Sequence, residues 1–150
     1  MEPLLKVRGL RTYFFTEAGT ARAVDGVDLD IGKGEVVGLV GESGSGKSVT
    51  ALSVLRLIPD PPGRIVSGSI TYKGRDLLKM PLEEIRNIRG QEISMVFQEP
   101  MTSLNPVFTI GMQVMEVIQA HEDCSRGEAF ERAVQMLELV GIPEARLRMQ

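Results

Sequence analysis

Apolar and polar residues change period several times along this chain. Val27-Asp28-Leu29-Asp30-Ile31 alternates strictly, as a half-exposed strand does. Leu4 to Phe15 also reads as extended, with Thr16 to Thr20 as a hairpin turn behind it. Gly32-Lys33-Gly34 then turns the chain into Glu35-Val36-Val37-Gly38-Leu39-Val40, a short apolar run of the kind expected of a buried parallel strand. The spacing next becomes helical, with Val49, Leu52, Leu55 and Ile58 three apart, until Pro59, Pro61, Pro62 and Gly63 end the run. Ser69 to Tyr72 predicts another strand, closed by a Lys73-Gly74 turn.

The second half has a different character. Pro81 to Arg89 predicts a short helix, with Glu83 and Glu84 in its first turn, Arg86 and Arg89 in its last, and Gly90 beyond. Ile93 to Phe97 predicts a strand, and from Thr109 onward the pattern is helical. Ser125 and Glu128 have the spacing of a capping box. Behind it Phe130, Ala133, Val134, Leu137 and Val140 form one apolar stripe that Gly141 stops. That stripe is read as core. No repeat or low-complexity tract interrupts the order of strands, a central α/β segment and a helical segment from about residue 100.

Between the apolar run and the first helix lies Gly41-Glu42-Ser43-Gly44-Ser45-Gly46-Lys47-Ser48, which fits the phosphate-binding loop G-x-x-x-x-G-K-[ST]. A triphosphate needs several N–H donors converging on its oxygens, so the backbone must wrap closely around it. Glycines at 41, 44 and 46 permit positive φ and remove Cβ atoms that would block the approach. A helix beginning near Lys47 points its free N–H groups and positive dipole end at the anion, with Val49 in its first turn. Lys47 is expected between the β- and γ-phosphates, and the Ser48 hydroxyl on Mg²⁺. A dinucleotide-binding glycine motif does not fit, because Val49 stands where Gly or Ala is required.

Composition narrows the field further. With 150 residues the chain makes one domain at most, and 43% hydrophobic with 25% charged residues is ordinary for a globular protein. A net charge of −3 without a basic block argues against nucleic acid as a main partner. Met1 to Lys6 shows no signal-peptide apolar region, and no apolar run approaches the roughly 20 residues of a membrane helix. The chain is therefore expected in the cytosol, meeting a membrane only through a partner. The single cysteine, Cys124, rules out an internal disulfide and reads as a free thiol on a helical region.

Phe97-Gln98-Glu99-Pro100 follows an apolar run about fifty residues beyond Lys47. Together with the phosphate-binding loop, Gln98 resembles the Q-loop glutamine of the ATP-binding-cassette (ABC) ATPases. Pro100-Met101-Thr102-Ser103-Leu104-Asn105-Pro106 is similar to the oligopeptide, dipeptide and nickel importer branch of that family. So are Ala23-Val24-Asp25-Gly26-Val27 and Gly63-Arg64-Ile65-Val66-Ser67-Gly68-Ser69-Ile70. The resemblance covers nearly the whole chain. It implies an α/β fold: a P-loop NTPase core with an N-terminal antiparallel β region, residues 1–99, and the start of a helical subdomain, residues 100–150. It implies ATP and Mg²⁺ as cofactors, with Lys47 and Gln98 in the catalytic machinery and Gln98 joining Ser48 on the metal. It also implies an aromatic residue stacked on adenine, for which Phe14 is the first choice and Tyr13 the second.

The partners implied are transmembrane permease subunits and a second ATPase subunit, with the chain peripheral at the cytoplasmic face of the membrane. The function implied is ATP hydrolysis energising import of peptides or related small solutes. The family's signature motif, its apolar strand ending in Asp-Glu and its switch histidine are not found in the sequence. The one histidine, His121, is read as a solvated helix-end residue. The chain is accordingly expected to be a truncated N-terminal portion that binds nucleotide without turning it over. The alternatives are a non-transport ABC-superfamily ATPase, or an inactive nucleotide-binding fragment.

Overall fold

The computed structural model describes residues 2–99 and 103–150. Contacts divide it into two compact units, residues 1–85 and 86–150. The first unit is built on an antiparallel sheet of four strands in the order β2-β1-β3-β4. These are β1 (Leu5–Thr16), β2 (Gly19–Ile31), β3 (Gly63–Tyr72) and the short β4 (Arg75–Asp76). The expected hairpin closes with Thr16 opposite Gly19. Val7, Leu10, Val24, Ile70 and Tyr72 are buried on one face. The other face carries ion pairs such as Arg8–Asp30 at 2.6 Å and Arg11–Asp25 at 2.9 Å, both partly in water and so individually weak.

Helix α1 (Lys47–Val54) packs on the buried face of this sheet. A buried hydroxyl pair fixes it there: Thr12 Oγ1 and Ser53 Oγ lie 2.8 Å apart, and Ser53 also donates to the Val49 carbonyl. Burying two hydroxyls is tolerated only because each meets a partner. Helix α2 (Leu82–Ile88) follows with acidic residues in its first turn and Arg86 in its last, as its sequence requires.

The second unit holds α3 (Ile110–His121), α4 (Arg126–Leu139) and the short α5 (Ala145–Arg148). Met115, Ile118, Ala129, Ala133, Val134, Ala145 and Met149 make its core, with Phe130 and Leu137 partly buried against them. The predicted stripe is thus core over most of its length. Val140 is the exception, 71% exposed beyond the end of α4. Cys124 sits in the loop between α3 and α4 rather than on a helix, partly buried against the same core. His121 ends α3 as expected but is half-buried, with Gly90 packed close to its ring.

Two predicted strands are not formed. Glu35 to Val40 has no strand pairing, and Val36 and Val40 are 96% and 90% exposed. Ile93 to Phe97 makes a single parallel bridge, Arg89 with Ile93, and Val96 is 95% exposed. An apolar run becomes a strand only beside a partner that takes its N–H and C=O groups. Among the described residues no strand lies alongside either run.

Candidate functional site

Gly41 to Ser48 forms a loop that leads directly into α1. Ser45 N donates to the Glu42 carbonyl at 3.2 Å, closing the loop's own turn. Gly44 and Gly46 have φ of 80° and 88°, as the sequence requires of them. Gly41 lies outside that region; its role is space, since a Cβ there would stand 2.7 Å from Ser45 Oγ. Gly46 is the N-cap of α1, and a Cβ on it would collide with the backbone carbonyl of Ala23. Ala23 is skipped in the β1–β2 register, between Val24 and Arg22, so the strand offers this carbonyl to the loop. Nothing in the sequence signals that contact, because it is made by backbone alone.

The N-terminus of α1 carries no side-chain cap. Its first-turn N–H groups, which a helix cannot satisfy internally, are therefore free to meet an anion beside the positive end of the dipole. Lys47 Nζ donates to the carbonyls of Gly41 and Glu42, both at 2.7 Å, and to Ser45 Oγ at 3.2 Å. Its ammonium thus stays over the loop. Ser48 is exposed at the start of the helix and Val49 half-buried behind it. Uncapped amides, an ammonium and an exposed hydroxyl in one loop fit a triphosphate with its Mg²⁺.

The two aromatic candidates have different surroundings. Tyr13 donates its hydroxyl to Asp25 Oδ1 at 2.8 Å, and the Arg22 guanidinium lies 5.7 Å from its ring centre. Its cross-strand neighbours are Arg22 and Arg64. The Tyr13 and Arg11 hydrogen bonds hold the Asp25 carboxyl below its ordinary pKa, and the same carboxylate raises that of Tyr13. Phe14 instead lies between Ala21 and Gly63 in the sheet register and makes no polar contact. By strand alternation it shares the face of Thr12, against which α1 packs.

Gln98 is exposed and belongs to the second unit, whereas the phosphate-binding loop belongs to the first. Pro100, Met101 and Thr102 lie outside the described residues. Further along, Gln113 fastens the approach to α3. It accepts from Asn105 N at 2.8 Å and donates to the carbonyls of Asn105 at 2.9 Å and Phe108 at 3.1 Å. Behind this loop is an open groove of about 750 Å³, whose walls include Leu104, Val117, His121 and Met136. No helix among the described residues is long and apolar enough to cross a membrane.

The profile of the ABC transporter family matches residues 24–150. A probable peptide ABC transporter ATP-binding protein, y4tR of Sinorhizobium fredii, is 51% identical over 146 residues, covering 96% of this chain and 44% of that protein. The oligopeptide transport ATP-binding protein AppD of Bacillus subtilis is 51% identical over 145 residues, covering 97% of this chain and 44% of that one. The chain therefore spans less than half the length of these curated relatives. Among solved structures, the dimeric post-hydrolysis state of the ATP-binding cassette MJ0796 with ADP and Pi matches with a TM-score of 0.76 at 22% identity. That match covers 97% of this chain and 61% of the other, and it establishes the fold.

Proposed function

The chain belongs to the ABC transporter family, and on that footing we propose that it binds Mg·ATP at Gly41 to Ser48 as part of an ATPase that energises import of peptides or related small solutes. The observation that carries this reading is the uncapped start of α1, with Lys47 over the loop and Ser48 at the helix start. The loop and first-turn amides, from Glu42 to Val49, take the phosphate oxygens, and Lys47 neutralises the β/γ charge. Ser48 would hold Mg²⁺, and the family resemblance would make Gln98 a further ligand and the γ-phosphate sensor. Phe14 stacks on adenine; its small neighbours and the engagement of Tyr13 elsewhere support that choice over Tyr13. The metal polarises the γ-phosphate when bound, and the residues present act by positioning and charge.

Residues 1–99 are then the β region and P-loop core, and 100–150 the start of the helical subdomain. A second ATPase subunit completes the site, as the dimeric cassette of the solved neighbour suggests. The chain sits peripherally at the cytoplasmic face of the membrane, held by permease subunits that dock on residues 98–120. The exposed apolar side chains there, Leu104 at 49% and Val117 at 59%, support that surface.

Lys47→Ala tests the nucleotide site. Loss of its charge-assisted bonds is expected to weaken Mg·ATP binding by about ten- to hundredfold, roughly 1.5–3 kcal/mol, in calorimetry. Unchanged affinity would remove the assignment. For the docking surface, a cysteine at position 103 should crosslink to cytoplasmic loops of the co-expressed permease. Crosslinks obtained only from positions 69–73 would place the partner on another face.

A further inference from the structure

We infer that Gly63 is a positioning residue for the nucleotide base: its missing side chain is the space in which the Phe14 ring is held. The inference rests on the proposed role of Phe14 as the adenine platform. Phe14 is paired with Ala21 on β2 and Gly63 on β3, the two smallest side chains a sheet row can offer. Directly opposite residues on one face of a sheet are near enough to touch. The ring therefore stands between two small residues, with its edge filling the space over Gly63.

Gly63 is buried, and its φ lies outside the left-handed region, so backbone freedom does not explain it. Space does. A Cβ at 63 would stand 2.8 Å from Phe14 Cε1 and 2.5 Å from Ile58 Cγ2. Backbone bonds pin the position: Gly63 N donates to the Pro59 carbonyl at 2.7 Å, and Phe15 N to the Pro62 carbonyl at 2.8 Å. With the strand held on both sides of the clash, the side chains must give: Ile58 shifts and the ring turns away, and the turn of the ring is the part that base binding reads. Ile58 follows α1 in the chain, so the segment leaving that helix borders the same space over Gly63 as the ring.

The test compares affinities of the full chain for Mg·ATP and for inorganic tripolyphosphate, which shares the phosphates and has no base. Phe14→Leu should weaken ATP binding by about five- to tenfold or more, the lower range for loss of one base–aromatic stack, and leave tripolyphosphate unchanged. Gly63→Ala should reproduce that selective loss in part, by about three- to tenfold. In the Phe14→Leu background Gly63→Ala should lower the ATP-to-tripolyphosphate ratio no further, because no ring remains to displace, even though the Ile58 clash persists. If Phe14→Leu lowers the ATP-to-tripolyphosphate ratio and Gly63→Ala does not, the inference on Gly63 fails while the base platform stands. If Phe14→Leu leaves the ratio unchanged, the platform fails and the inference with it. Should Gly63→Ala prove insoluble, the double variant decides. Its recovery of folding supports a clash with the ring, and its failure to fold assigns Gly63 to the packing of Ile58 and the turn instead.

Discussion

Helices α1 and α4 begin in opposite ways. At α4, Ser125 holds an extended backbone, its hydroxyl accepts from Glu128 N, and Glu128 reaches back to Ser125 N at 2.8 Å. At α1, Gly46 holds a left-handed backbone and offers no side chain. Both helices face the same problem, first-turn N–H groups without partners. One start is filled by the chain's own oxygens; the other has no side-chain oxygen, and in the proposed reading phosphate oxygens fill it. Helix α3 begins as α4 does, with Thr109 Oγ1 accepting from Met112 N at 3.2 Å. The four-residue α5 also starts uncapped, on a left-handed Glu144, so what sets α1 apart from the two filled starts is the open start together with the Lys47 ammonium held over its loop. A filled cap serves the stability of one helix; in the proposed reading α1 gives up that stability for a ligand.

Gly46→Ala is the severest way to break this comparison. It puts a Cβ in the left-handed region and into the Ala23 carbonyl. The left-handed conformation alone costs a non-glycine residue about 1–2 kcal/mol, and displacing backbone adds a similar amount, for a total of roughly 2–4 kcal/mol. The loop must either leave Ala23 or unwind the first turn of α1, and both disperse the amides. The expected result is a lowered thermal midpoint together with loss of Mg·ATP binding under conditions where circular dichroism shows the chain folded. Wild-type affinity in a folded Gly46→Ala protein would show that the placement of the loop against β2 is unimportant to binding.

How much of this was legible in the sequence follows from the range of each interaction. The capping box, the hairpin turn and the glycines at 44 and 46 depend on residues within a few positions, so local spacing was enough to predict them. The α4 stripe was also legible, because helical periodicity reports a buried face without naming what covers it. Glu35 to Val40 and Ile93 to Phe97 have the composition of strands, but pairing is a property of two segments. The order Phe14 before Tyr13 came from the family resemblance, and the surroundings that support it in the proposed reading appear only in the register, which puts arginines beside one ring and small residues beside the other. The contact of Gly46 with Ala23 and the hydroxyl pair of Thr12 and Ser53 carry no motif at all.

The filled start can be loosened more gently, and here the effect should be the smallest. Ser125→Ala removes an N-cap, worth about 1 kcal/mol, and should leave Mg·ATP affinity unchanged because α4 holds no ligand in the proposed reading. The carboxyl of Glu128 is held below its ordinary pKa, first by the Ser125 hydroxyl and then by the Ser125 N–H. A carboxyl whose pKa is lower in the folded state than in the unfolded chain favours folding where it is ionised in both. That contribution is fully present above the unfolded value, near about 4.3 for glutamate, and disappears as pH falls through the folded value. Protonated Glu128 can no longer accept both Ser125 bonds as a carboxylate does, so the start of α4 loosens in acid. Hydrogen exchange of the amides at 126–129 should accelerate, after correction for intrinsic rates, as pH falls below the ordinary glutamate range. Glu128→Gln, which keeps an acceptor oxygen and has no proton to gain, should flatten that dependence. An acid dependence that survives in Glu128→Gln would mean that another group controls this helix start, and that the two bonds of the capping box contribute geometry rather than charge.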